Sequence, residues 1–65
     1  MKTLISNNGG YKLIVEVTDP IKHTDGDVQI RFLTQYEDAK NPDELHVKFG
    51  AVLTKEQRQT LKDIL

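Results

Sequence analysis

Apolar and polar residues alternate along most of this chain, and the period of that alternation changes once, near residue 54. The clearest run begins at Tyr11: Tyr11, Leu13, Val15 and Val17 fall on one face of an extended strand, and Lys12, Ile14, Glu16 and Thr18 on the other. Asn7-Asn8-Gly9-Gly10 precedes it, and Asn-Gly suits a type I′ hairpin because both central positions need φ > 0. A loop at Asn8-Gly9 sets Leu4 opposite Leu13, Thr3 opposite Ile14 and Ile5 opposite Lys12, which predicts a first strand over residues 2–6. Asp19-Pro20 reads as a bend inside a second strand spanning 11–24, since proline lacks a ladder donor but is tolerated at an edge or bulge. Asp25-Gly26 then predicts a second tight hairpin pairing Thr24 with Asp27, His23 with Val28 and Ile21 with Ile30. The third strand, 27–36, turns Val28, Ile30, Phe32, Thr34 and Tyr36 inward and Gln29, Arg31, Leu33 and Gln35 outward.

Residues 37–44 lack apolar periodicity, contain Asn41-Pro42 and read as a loop. A fourth strand, 45–53, places Leu45, Val47, Phe49, Ala51 and Leu53 on the inner face and His46, Lys48, Gly50 and Val52 on the outer, with Gly50 suggesting a bulge or a close approach. At Thr54-Lys55-Glu56-Gln57 the period becomes helical: a Thr-x-x-Gln capping box opens a helix over 55–65 whose apolar residues are Leu61, Ile64 and Leu65. The fold class is therefore α+β: a four-stranded antiparallel meander followed by a C-terminal helix, in one domain over residues 1–65.

A helix of this length reaches only ~16 Å, and three apolar residues at one end of it face an inner set that includes Leu4, Leu13, Val15, Val17, Ile21, Ile30, Phe32, Phe49 and Leu53. Each large side chain is worth ~1.5–3 kcal/mol when fully buried, so the sheet needs further cover. A second copy of the chain is the expected source, because two-fold homodimers are the commonest assembly, with Leu61, Ile64, Leu65 and Phe49 at the expected interface. A sheet coiled tightly enough for the helix and the 37–44 loop to suffice is the alternative.

Composition narrows the picture. Sixty-five residues without a cysteine form a core that buries only about 60% of the unfolded surface and cannot be stapled by disulfides. Zinc ribbons, CxxC redox sites and thiol nucleophiles are excluded, and a cytoplasmic location is the default expectation. No run of about 18 apolar residues is present, so no membrane association is expected. Nine Lys/Arg against ten Asp/Glu argue against a strong nonspecific polyanion binder, whose domain is normally basic.

Candidate chemistry is sparse. His23 lies near Asp25 and Asp27, and His46 near Asp43 and Glu44, but the spacings match no metal motif and read as exposed histidines. Asp25-Gly26-Asp27 lacks the alternating ligands of a calcium loop, and Asn8-Gly9-Gly10 has neither the lysine nor the helix of a phosphate cradle. Ser6 and the threonines sit in no nucleophile elbow. No catalytic residue, cofactor or metal is expected. Two surfaces remain. The loop acids Glu37, Asp38, Asp43 and Glu44 suit a basic protein partner. Lys12, Arg31, Lys48 and His46, aligned on the outer face by the expected registers, form a basic stripe able to track a single-stranded nucleic acid, although all four aromatics have inner parity and a solvated, mixed-charge face is the simpler reading. The first reading is a small non-catalytic interaction or regulatory module acting through a macromolecular partner; the alternative is single-stranded nucleic-acid binding.

The segment Phe49-Gly50-Ala51-Val52-Leu53-Thr54-Lys55-Glu56-Gln57-Arg58-Gln59-Thr60-Leu61-Lys62-Asp63-Ile64 resembles the last strand and capped helix of the transcriptional coactivator positive cofactor four family. The order of elements agrees as well. The resemblance implies a β4α homodimer that grips unpaired DNA with basic and aromatic residues of its strands. It covers about a quarter of the chain, and Arg58 stands where that family usually has a bulky apolar residue.

Overall fold

The structure, a computed structural model, describes all residues from Met1 to Leu65. Four strands, β1 (Lys2–Asn8), β2 (Tyr11–Val17), β3 (Val28–Tyr36) and β4 (His46–Leu53), precede one helix, α1 (Lys55–Ile64). The strands form one antiparallel sheet in the order β1-β2-β3-β4, the meander expected from the alternation. The Val-, Ile- and aromatic-rich stretches of β2 and β3 favour a pleated backbone, and their pairing is regular, from Tyr11 opposite Tyr36 to Val17 opposite Ile30.

The first hairpin departs from its expected register. Its two-residue loop is Gly9-Gly10, with Asn8 opposite Tyr11, so β1 runs to Asn8 instead of ending at residue 6. Gly9 at φ 63° and Gly10 at φ 90° supply both left-handed positions without a Cβ penalty, and the Asn7 side chain accepts a 3.0 Å hydrogen bond from the Gly10 amide. A bulge at Ile5 then shifts the register: Leu4 lies opposite Ile14 and Thr3 opposite Val15. Leu4 is thus on the outer face, not opposite Leu13 on the inner one.

The second hairpin is not tight. β2 stops at Val17 instead of running to 24, and residues 18–27 form a wide loop. Pro20 ends the ladder by removing a donor, and the loop supplies its own bonds. The Thr18 hydroxyl accepts from Gln29, the Thr24 hydroxyl accepts from Asp27 and donates to the Ile21 carbonyl, and His23 takes the left-handed region at φ 68°. The expected pairs His23–Val28 and Ile21–Ile30 are therefore absent; Ile30 faces Val17, and Ile21 instead donates its amide to Asp27.

β3 begins at 28 and β4 at 46, each one residue later than expected. Between them a second bulge inserts Lys48: Phe32 lies opposite Phe49, but Leu33 lies opposite Val47 and Thr34 opposite His46. The break falls two residues before Gly50, where the sequence pointed. It reverses the parity of the start of β4, so Val47 joins the outer face and His46 the inner, the opposite of the expected assignment. Leu45 lies outside the strand.

The capping box forms as expected. The Thr54 hydroxyl accepts from the Gln57 amide at 3.2 Å and the Gln57 side chain accepts from the Thr54 amide at 2.9 Å. Helix α1 lies on the inner face, and Leu65 is its C-cap. Arg58 donates to the Gly26 carbonyl at 2.8 Å, tying the helix to the 18–27 loop.

The two glycines of the first hairpin differ in a testable way. A Cβ on Gly9 meets nothing, whereas one on Gly10 would stand 2.6 Å from Cγ of Glu37. Gly9→Asn is expected to be close to neutral. Gly10→Asn should cost about 1–2 kcal/mol through the contact and its larger positive φ, read as a difference in urea midpoint.

Candidate interaction surface

The registers sort each strand into two faces. On the inner face, Thr3, Val15, Phe32 and Phe49 form one row across all four strands, and Val17, Ile30 and Ala51 another. The Phe32 and Phe49 rings are tilted at 51° with centroids 6.2 Å apart. Helix α1 crosses this face without covering it. No residue of the helix is buried, and Phe49 is 61% exposed, Ile64 75% and Leu65 93%.

Two apolar grooves flank Leu61. One, of about 340 Å³, is lined by Phe49, Ala51, Leu53 and Ile64 with Gln57 and Thr60; the other, of about 510 Å³, by Thr3, Ile5, Leu13, Val15, Val17 and Leu65. Ile30, Phe32 and Leu61 form the floor and shared wall of both. The four residues expected at an interface, Leu61, Ile64, Leu65 and Phe49, are brought together here. Thr3 and Ile5 belong to the same surface, and sequence reasoning missed them because only the bulge turns Ile5 inward.

The outer face is less polar than its alternation suggested. Leu4, Ile14, Leu33 and Val47 line up across the four strands. Leu33, in the middle of this row, is 3% exposed, so the fold has a small apolar centre on the side away from the helix. Beside it runs a charged row. Glu16 lies between Lys2, at 3.7 Å, and Arg31, which donates to its carboxylate. The Glu16 side chain is only 14% exposed.

This pairing disperses the expected basic stripe. Arg31 is held by Glu16; Lys12 lies opposite Asn7 and Gln35, four residues along β3 from Arg31 and so roughly 13 Å away. Lys48 is the extra residue of a bulge, and His46 sits in the inner register opposite Thr34. The four do not form one track. The loop acids Glu37, Asp38, Asp43 and Glu44 are all exposed; the Glu37 side chain lies over Gly10, and the loop is held by the Ala39 amide donating to Tyr36 and the Glu44 amide donating to Asn41. Neither histidine gathers with carboxylates into a group of three able to hold a metal ion. Helix α1 is too short to cross a membrane. Comparison of the chain with protein-family models, with curated proteins and with solved structures finds no match.

Proposed function

We propose that this chain is a small non-catalytic interaction module that works by packing the inner face of its sheet against another polypeptide. The incomplete roof carries the reading: α1 buries none of its own residues, and Phe49, Ile64 and Leu65 stand open beside two grooves with almost wholly apolar walls. Exposed apolar clusters of this kind mark association surfaces. Each large side chain moved from water to full burial gives ~1.5–3 kcal/mol, so a handful of them offsets the several kcal/mol lost in bringing two molecules together. The exposed loop acids lie outside this face and remain free to steer a basic macromolecular partner toward the module.

Photo-cross-linking in cells tests the reading. A photoreactive residue in place of Phe49 should give covalent adducts to polypeptide, and the same residue in place of Lys12, on the outer face, should give far fewer. Equal yields from both positions, or none from position 49, would overturn it.

A further inference from the structure

We infer that the polypeptide seated on the inner face is a second copy of this chain, in a two-fold homodimer; the inference rests on the interaction-module reading and names its partner. The first argument is area. At 7.4 kDa the chain exposes 5119 Å², whereas a compact monomer of that mass exposes about 4,200 Å². The surplus, on the order of 900 Å², is close to the ~800 Å² that each partner contributes to an interface of standard size. Shape agrees: the radius of gyration is 13.8 Å against about 11 Å for a compact domain of this length. The molecule is a slab only 16 Å through its thinnest axis.

The second argument is the chemistry of the grooves. No side chain lining either groove carries a formal charge. A strongly basic or acidic partner would leave its charges desolvated and unpaired there, while the apolar side chains flanking the grooves meet no such penalty. The face also supplies both halves of a fit. Phe49 and Ile64 project beside one groove, and Thr3, Ile5 and Leu13 line the other. A two-fold contact uses the same patch on both copies, so the projections of each copy enter the hollow of the other. With a net charge of −1, two copies approach with little mutual repulsion.

Sedimentation equilibrium on the purified chain, over roughly 5 to 200 μM because a dimer responds to its own concentration, is the test. The wild-type chain should approach twice 7.4 kDa. Phe49→Glu should weaken association by ~100-fold or more, since it places a charge in the apolar seam. Val52→Glu, in the same strand but on the outer face, should leave the mass unchanged. Far-UV circular dichroism confirms that each variant folds; should Phe49→Glu fail, Ile64→Glu, in the last turn of α1, is expected to give the same monomer. A wild-type chain of single mass throughout, or a dimer indifferent to Phe49→Glu and Ile64→Glu, overturns the inference. A monomer that still yields adducts to a different polypeptide from position 49 overturns the second copy alone. A monomer without such adducts overturns the interaction-module reading as well.

Discussion

Replacing Leu33 with alanine is expected to remove most of the stability of this domain. Leu33 sits in the centre of β3, between Ile14 and Val47, and is 3% exposed. Buried Leu→Ala changes cost about 2–5 kcal/mol, a sum of lost transfer energy and the cavity left behind. A single core of this size rarely supplies more than ~3–5 kcal/mol. Only Val28 matches it among apolar residues, at 2%, so few neighbours can make up the loss. Urea unfolding at fixed protein concentration should show the midpoint of Leu33→Ala collapsing toward zero denaturant. Leu4→Ala, in the same outer row but 55% exposed, should shift it much less. Equal shifts for the two would show that the outer row is not a core.

The second large effect belongs to Glu16. Its carboxylate is mostly buried and holds both Lys2 and Arg31, while Nε of Arg31 is buried without a partner. Glu16→Ala leaves that guanidinium with no counter-charge, and removing one member of a desolvated pair is worse than removing both. Because the Arg31 side chain is 37% exposed, water recovers part of the loss, and about 1–2 kcal/mol is expected. In a domain this small that lowers the melting temperature by roughly 4–16 °C. The double variant Glu16→Leu with Arg31→Met should recover much of the difference. A thermal double-mutant cycle gives the coupling directly, and a value near zero would mean that Glu16 and Arg31 contribute independently.

These two sites also show where the sequence was legible and where it was not. The alternation in β2 and β3, the capping box at Thr54 and the loop at 37–44 are local signals, and each appears in the structure, although β2 stops at Val17 and not at 24. The bulges leave weaker marks: none at Ile5, and at Lys48 only the glycine two residues on, Gly50. Inserting Ile5 in β1 and Lys48 in β4 changes no residue type, yet each shifts a register by one position and carries side chains to the other face. Leu4 and Val47 crossed over in this way. The outward parity of Ile14 and Leu33 was visible from the start; that they would be flanked on both sides by apolar residues was not. The 18–27 loop was misread for a related reason. Asp25-Gly26 fits a tight turn, but Pro20 had already broken the ladder that a tight turn would extend, and the Thr18 and Thr24 hydroxyls stabilise a wider path. Among the candidate site residues, the apolar set lies together because it depends on the helix stripe and on β4 beyond its bulge. The basic set does not, because Lys48 is the inserted residue of the bulge and His46, before it, takes the opposite parity.

The unbroken strand order bears on how the chain reaches this state. Every ladder joins strands that are neighbours in sequence, so no segment must wait for a distant one to be synthesised or to diffuse back. Loop-closure entropy is lost in small instalments, the glycine hairpin can close within microseconds, and the sheet can grow outward from it one strand at a time. Such local wiring places the polypeptide among rapid folders for a β-rich topology.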